Sequence, residues 1–447
     1  MVRRHLLRAA WLIVSAIRPT TCFGGLADPA LPSGEADPSA ALDLDDRQLH
    51  VCGTSWQAAY RAVHHAASVS NAPRILVFDV AGNGGLADRL TGLMTALLIA
   101  VLTDRALTLD WPGYEAVFDT PHLQALPQLL GSARAAASAD RREITWLNGN
   151  RRLLLQQLVD ARGGLEALWP ERIVVLRSNR GFTQQLLSSP GFQARAQERH
   201  LTPRNGQFGC LFNFLLRPTE TTLAPVTTLL AAMRDPTFAT VGVHVRAGDT
   251  TFAVEGAGDA AREGTTMQAR GKKLYDSHAF IYSYAYDLAV AIAANRTRAA
   301  AAAAAANASV GSELTTARSP PRGVEPRLLL LGDSSALRHH VAALHDPRHI
   351  LLPGGSVSHV AKVATPQQAA ALSHAVGEHW LYTHAAAFVY SSHSGFPRTA
   401  AARSLRDDAI HTCFHYQGAL YNAQPTAREC TGPYSVPFLG ERHAAGL

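Results

Sequence analysis

The chain has 447 residues, 47% hydrophobic and 17% charged, which is length enough for two ordinary domains and too apolar for global disorder. Its formal charge of +6 is carried almost wholly by arginine, since Lys272, Lys273 and Lys362 are the only lysines. No Lys/Arg run is interleaved with aromatics, so nucleic acid is not an expected partner, and the arginine excess follows a general richness in Arg, Ala and Gly.

At the N-terminus, Arg3, Arg4 and Arg8 precede an apolar run, Ala9 to Ile17, closed by Arg18 and Pro19. Residues 1–27 read as a signal peptide or a short signal anchor, because the run falls short of the ~20 apolar residues of a comfortable spanning helix. A membrane is an expected partner only if that segment is an uncleaved anchor. Residues 28–48 are rich in Pro, Ala, Asp and Ser and read as a flexible stem. If Cys22 leaves with the signal, Cys52, Cys210, Cys413 and Cys430 remain, an even number that suits an oxidising lumen and up to two disulfides in one of three connectivities. These cysteines are far apart and no CxxC occurs, so no metal site is expected. The sequons at Asn295 and Asn307 agree with a secretory route: Golgi or ER lumen, or secretion.

The first ordered block begins near Leu49. Arg74 to Asp79 is a predicted strand, Gly82 to Gly85 breaks the chain, Asp88 to Leu102 is an apolar helix and Ala106 to Asp110 a second strand. This is the β-turn-α-β building block of a doubly wound domain. Residues 115–200 are mostly helical in pattern, with a strand at Arg172 to Leu176. A second strand-rich block opens at Thr240, where Val241 to Arg246 alternates as a strand and ends at Ala247-Gly248-Asp249. A polar stretch, 250–273, precedes a helix from Ser277 to Ala294, and the Ala-rich residues 295–322, which could extend that helix, read as a surface insertion. A buried strand at Arg327 to Leu331, a helix capped by Gly332 to Ser335, a strand at His349 to Leu352, a helix over 366–384, a strand at Ala387 to Ser391 and a helix from Pro397 complete the alternation. The expectation is an α/β chain with an N-terminal domain over 49–225, a C-terminal domain over 226–425 and a tail over 426–447. Ligands of such sheets bind beyond the carboxyl ends of the strands. That places His244 to Asp249, Gly332 to Ser335 and Ser391 to Arg398 on one rim.

Each polar cluster has a chemical reading beside a structural one. In His244-Val-Arg246-Ala-Gly248-Asp249, alternation puts His244 and Arg246 on one strand face. The guanidinium of Arg246 can fork onto a diphosphate, Gly248 admits close backbone approach, and Asp249 can orient the arginine; alone, the motif is equally a structural Arg–Asp pair. In Gly332-Asp-Ser-Ser335, Asp333 or Ser334 is a good helix N-cap, and the helix end also attracts phosphate. The same triplet occurs in esterases, but near their N-termini. Tyr390-Ser-Ser-His-Ser-Gly-Phe-Pro-Arg398 runs from strand into polar turn and helix, suited to nucleotide phosphates; Gly-x-Ser-x-Gly is absent, which argues against a nucleophile elbow. Gly82-Asn-Gly-Gly-Leu-Ala87, with Asp110 further on, matches Gly-x-Gly-x-x-Ala and keeps a dinucleotide fold as the runner-up.

Taken together, these segments resemble the GDP-fucose fucosyltransferase superfamily, whose α1,2, α1,6, plant xyloglucan and protein O-fucosyltransferase branches share a His-x-Arg motif. Gly242 to Asp249 looks most like the α1,2 and plant forms. Gly85-Leu-Ala-Asp-Arg-Leu90, Cys210 to Pro218, Leu331 to Ser334 and Ser391 to Ala400 are similar to further family segments, in family order, over about 80–410.

The resemblance implies a GT-B architecture of two Rossmann-like domains facing a cleft, acceptor side first and donor side second. It implies inverting, metal-independent transfer of L-fucose from GDP-β-L-fucose to a glycan or glycoprotein acceptor, with no cofactor beyond the GDP-sugar donor. Arg246 would hold the β-phosphate and stabilise the leaving diphosphate. His244 and Asp249 would shape that site, Asp333 and Glu378 would contact ribose or guanine, Gly248 and Ser334 would also line the nucleotide site, and Ser392, Ser394, Gly395 and Arg398 would close around the nucleotide. Glu255 is the residue nearest the place of the α1,6 base, with Asp259 behind it. Ala247 stands where several branches carry a second Arg, Ala87 replaces a Gly and Gly332 a Thr. These departures leave open a GT-B transferase using another nucleotide sugar, or a luminal homologue that binds a sugar nucleotide without turnover.

Overall fold

The computed structural model describes residues 50–80, 84–147, 169–203, 206–247, 263–310, 323–355, 360, 365–391, 394–415 and 428–431. The expected signal segment, the stem, residues 248–262 and most of the C-terminal tail lie outside the described residues.

The chain is α/β, with two separate, mostly parallel sheets in sequence order. Helix α1 (Ser55–Ser68) precedes strand β1 (Ile75–Asp79), helix α2 (Leu86–Leu102) and strand β2 (Ala106–Asp110). Their sequence dictates this. β1 alternates, sending Leu76 and Phe78 to one buried face and Ile75 and Val77 to the other. Leu90, Leu93, Leu97 and Val101 of α2 cover the Leu76 face. The other face is covered by Leu129 and Ala133 of α3 (Leu126–Ala135). Strands β3 (Phe118–Asp119), β4 (Arg141–Trp146) and β5 (Ile173–Ser178) follow, then helices α4 (Thr183–Ser188), α5 (Pro190–Glu198) and α6 (Phe208–Leu215) and the short strand β6 (Arg217–Pro218), which pairs with β3. The first sheet is parallel, in the order β2-β1-β5-β4.

The second sheet contains β7 (Phe238–Val245), β8 (Glu325–Gly332), β9 (Ile350–Leu351), β10 (Ala387–Ser391), β11 (Ile410–His415) and β12 (Arg428–Thr431), in the order β9-β8-β7-β10-β11-β12. Only β12 is antiparallel, and a disulfide, Cys413–Cys430, joins it to β11. Counted from its own first strand this order is 3-2-1-4-5-6, which puts the reversal of winding, and the crevice that goes with it, between β7 and β10. Helices α7 (Thr227–Arg234), α10 (Thr365–Thr383) and α11 (Gly395–Arg403) lie on one face, and α8 (Glu263–Val310) and α9 (Ser335–Ala343) on the other. Val241, Val243 and Val245 face α8, so Gly242 and His244 face α10 and α11. A Cβ at Gly242 would lie 2.8 Å from the Tyr382 ring, which explains the glycine in an otherwise branched strand.

The expected strands of the second sheet are present with small shifts of boundary, and three expectations are corrected. The helix expected from Ser277 begins at Glu263, inside the polar stretch expected to precede it. The Ala-rich residues as far as Val310 are not an insertion: they continue α8, a helix of 48 residues, or about 70 Å. Alanine is the best helix former, and no Gly or Pro interrupts the run before Gly311. Arg298 to Ala306 are exposed, and both sequons lie within this helix. In the N-terminal half, β4 was hidden from the pattern because it is an edge strand with charged, exposed Arg142 and Glu143.

Elements flanking the second sheet reach the core of the first. Val360, Leu372 and Val376 join the cluster built on α2 and α6, and Phe396 and Ala402 of α11 pack against it. The second disulfide, Cys52–Cys210, fastens the N-terminal segment to α6, and Leu405, just beyond α11, packs on it. Among the described residues, no helix is long and apolar enough to cross a membrane.

Gly92 tests how closely α2 lies on β5, because a Cβ there would collide with the Ser178 carbonyl. Gly92→Ala is expected to cost about 1–3 kcal/mol of stability in urea melts; an unchanged midpoint would contradict the contact.

Candidate functional site

The carboxyl ends of β10, β7 and β8 are neighbours in register, with Tyr390 opposite His244 and Val245 opposite Gly332. The three polar clusters expected on one rim are therefore side by side. Parallel strands that stop together leave backbone groups without sheet partners, and side chains must satisfy them if they are buried.

That is what the neighbouring strand ends do. Arg246, the residue after β7, donates its N–H to Ser391 Oγ of β10 at 3.0 Å. Ala247 donates its N–H to Asp333 Oδ1 at 2.5 Å, and the Asp333 N–H is donated to the Val245 carbonyl at 3.3 Å. The 245–247 backbone is thus held from both sides, across the reversal point by Ser391 and from β8 by Asp333. Arg246 is itself exposed, while Ser391 and Asp333 are buried. Strand β7 ends at Val245, so the shared face expected for His244 and Arg246 separates at the strand end: His244 is buried and the arginine stands on the rim.

Ser334 is the N-cap of α9, its Oγ accepting the Leu337 N–H at 3.1 Å, which is the structural alternative raised for this cluster. Glu378, expected at ribose or guanine, is placed beneath the rim. Its two oxygens accept from Arg338 of α9, and the pair is almost fully buried, with 4% and 7% side-chain exposure. Arg338 Nε also donates to the Gly332 carbonyl at 3.1 Å, so this ion pair supports the end of β8. Leaving either partner alone in that interior would cost several kcal/mol, roughly 3–5 in comparable cases. A Cβ at Gly332 would lie 2.5 Å from the Val245 carbonyl oxygen, which accounts for glycine where the resembling family has Thr.

Ser394 is buried at the N-cap position of α11, with Gly395 and Arg398 half-buried beyond it. The Ser394 N–H is donated to the Ser391 carbonyl at 3.2 Å, which turns the chain from strand into helix. Gly395 also abuts the helix that covers the first sheet, since a Cβ there would lie 3.2 Å from the Ala87 Cβ. The start of α2 thereby meets the start of α11. In that first turn Asp88 accepts the Gly85 N–H and Arg89 Nε donates to the Gly84 carbonyl, so these members of the Gly-x-Gly-x-x-Ala segment have structural roles. Gly248, Asp249, Glu255 and Ser392 lie outside the described residues.

His244 is buried and stacks on Phe396 of α11, ring centroids 5.4 Å apart, with Nδ1 lacking a hydrogen-bond partner. Burial, reinforced by the nearby Arg338 and Arg246 guanidinium groups, pushes its pKa from 6.5 down to about 3. It is a neutral imidazole near neutral pH. Phe396 meets His379 edge-on, and His379 stacks on Phe212 of α6. At the far end of α11, Arg403 lies over the Trp380 and Phe212 rings, at 3.5 and 4.5 Å, and donates to Asn213 at 3.0 Å. The sequence reading missed Ser391, Arg338 and Arg403 as supports. Only Ser391 had a signal, as the first residue of a polar turn already singled out. Among the described residues no group of three or more His, Cys, Asp or Glu side chains is placed to hold a metal ion.

The depressed pKa of His244 has a definite sign: the fold favours the neutral form. Its contribution is complete above about pH 6.5 and is lost as pH falls toward about 3, by at most about 1.4 kcal/mol per pH unit. His244→Gln is expected to flatten that acid limb in urea melts at about pH 7 and pH 4.5, and parallel losses in both proteins would remove the buried-neutral assignment.

No protein-family model matches the chain, and no curated protein sequence matches it. Among solved structures, it is similar to a point mutant of Arabidopsis thaliana FUT1 in complex with GDP, at a TM-score of 0.46 and 14% identity, covering 83% of this chain and 77% of that one. It is similar to NodZ alpha-1,6-fucosyltransferase soaked with GDP-fucose, at a TM-score of 0.41 and 14% identity, covering 81% and 100%. It is also similar to POFUT1 in complex with GDP-fucose, at a TM-score of 0.35 and 11% identity, covering 77% and 99%.

Proposed function

We propose that the chain is a glycosyltransferase that takes L-fucose from GDP-β-L-fucose and passes it, with inversion, to a hydroxyl of a glycan or glycoprotein. The observation that carries this reading is the position of Arg246: exposed at the reversal point of a 3-2-1-4-5-6 sheet, its backbone held by Ser391 and Asp333. That point is where such sheets bind nucleotides, and a guanidinium there suits a diphosphate.

In the proposed reaction an acceptor oxygen attacks the anomeric carbon from the face opposite the nucleotide. The bond from that carbon to the β-phosphate oxygen breaks, GDP leaves with the electron pair, and a base takes the acceptor proton. Arg246 offsets the charge that grows on the diphosphate, an electrostatic role made more effective by a fixed donor. His244, neutral and buried behind the rim, can offer a hydrogen bond without adding charge. Glu255 is the proposed base, while Gly248, Asp249, Ser392, Ser394, Gly395 and Arg398 are the proposed remainder of the nucleotide site. Glu378 acts there at one remove, through Arg338. The two disulfides fit a secretory-pathway protein.

Titration calorimetry with EDTA present is expected to give tighter binding of GDP than of UDP or NAD. Preference for UDP would overturn the donor, and preference for NAD would restore the dinucleotide reading. Arg246→Ala is expected to reduce GDP-fucose turnover at least about a hundredfold, in the range for loss of one oxyanion donor; near-normal kinetics would remove its role. Binding without turnover across a glycan panel would make the chain a non-catalytic homologue.

A further inference from the structure

The bonds at the rim bear on how the nucleotide is recognised, an inference that rests on the proposed diphosphate role of Arg246. Glycine-bearing turns after a strand commonly bind phosphate through successive backbone N–H groups. Here two such groups are already engaged: Arg246 N–H by Ser391 Oγ and Ala247 N–H by Asp333 Oδ1. Ser391 is 7% exposed and Asp333 5%, so neither acceptor is readily exchanged for water. The Ser394 N–H, next along the rim, is occupied by the Ser391 carbonyl.

We propose that Ser391 and Asp333 are positioning residues that fix the backbone of Arg246 and Ala247 from the two neighbouring strands. By occupying those N–H groups, they withhold them from the diphosphate, so that residues 246 and 247 contribute to its recognition through the Arg246 guanidinium rather than through backbone. Ser391 then works without touching the nucleotide, and Asp333 works as an acceptor for backbone rather than as a ribose ligand. Ala247 also acquires a reason. What this position supplies is an N–H for Asp333, and a methyl side chain suffices for that.

The proposal separates from the donor assignment in two measurements. In hydrogen exchange of the free protein, the Arg246 amide is expected to be protected, and to lose protection by about two- to tenfold in Ser391→Ala, as the loss of one net hydrogen bond would give. Asp333→Ala is expected to do the same for the Ala247 amide. Ser391→Thr and Asp333→Asn, which keep an acceptor oxygen, are expected to restore most of the protection. In GDP titrations the two alanine variants are expected to bind about tenfold more weakly, and the two conservative variants to recover most of that loss. GDP binding that depends on Arg246 but is indifferent to both alanine variants would overturn the positioning role and leave the donor assignment standing. Failure of the unmodified protein to bind GDP would remove the donor assignment, while the exchange result would still decide whether the two side chains hold the turn. Should an alanine variant not fold, its conservative counterpart decides: retained amide protection supports the brace and lost protection contradicts it.

Discussion

Parallel strands that end together leave their last N–H and C=O groups without ladder partners, and the rim of the second sheet is organised by how those groups are satisfied. Arg246 N–H is taken by Ser391, Ala247 N–H by Asp333, Asp333 N–H by the Val245 carbonyl and the Gly332 carbonyl by Arg338. Every acceptor or donor in that set comes from a neighbouring strand end or from the helix that follows one. The strand order makes this possible, since β10 and β8 flank β7 only because the winding reverses there. Arg246 is solvent-exposed, on a backbone that is fixed on both sides.

Helix α11 ties that rim to the rest of the molecule. At its start, Gly395 meets Ala87 of the first sheet's leading helix, and Phe396 stacks on His244. At its end, Arg403 is held between Trp380 and Phe212 and bonded to Asn213. Gly209 of α6 approaches Ala402 closely, a Cβ there falling 2.5 Å from its carbonyl oxygen, and Leu405 rests on the Cys52–Cys210 disulfide. A buried guanidinium with no carboxylate among its described partners is costly to maintain, and burial lowers the Arg403 pKa well below its ordinary value. The aromatic faces on either side offset part of that cost. The helix that borders the candidate nucleotide site is therefore also packed into the core of the first sheet.

Much of this was legible in the sequence for a simple reason: the second sheet is mostly parallel and covered on both faces, so its inner strands are continuous apolar runs ending in polar turns. Arg327 to Leu331 and Ala387 to Ser391 announced themselves in that way, and the three polar ends fell on one rim because parallel strands share a direction. What stayed hidden depended on non-local or weak signals. The edge strand Arg141–Trp146 carries charge where a central strand would carry valine. The alanine run after Asn295 has no amphipathic stripe, so composition suggested low complexity while propensity formed helix. Glu378 was expected at ribose or guanine on resemblance alone, and nothing in the sequence hints at Arg338, 40 residues earlier, coming to meet it. Ser391 stood in a polar turn already singled out, but its bond was hidden for the same reason: its partner lies 145 residues away, and the bond exists only because β10 is inserted beside β7.

The central claim is that one exposed arginine at the reversal point receives a nucleotide diphosphate. The most direct measurement is a crystal structure with GDP bound. The account requires β-phosphate oxygens within about 3 Å of the Arg246 guanidinium, with the Arg246 and Ala247 N–H groups still on Ser391 and Asp333. A diphosphate held by those two N–H groups, or a nucleotide seated at the carboxyl ends of the first sheet, would contradict it.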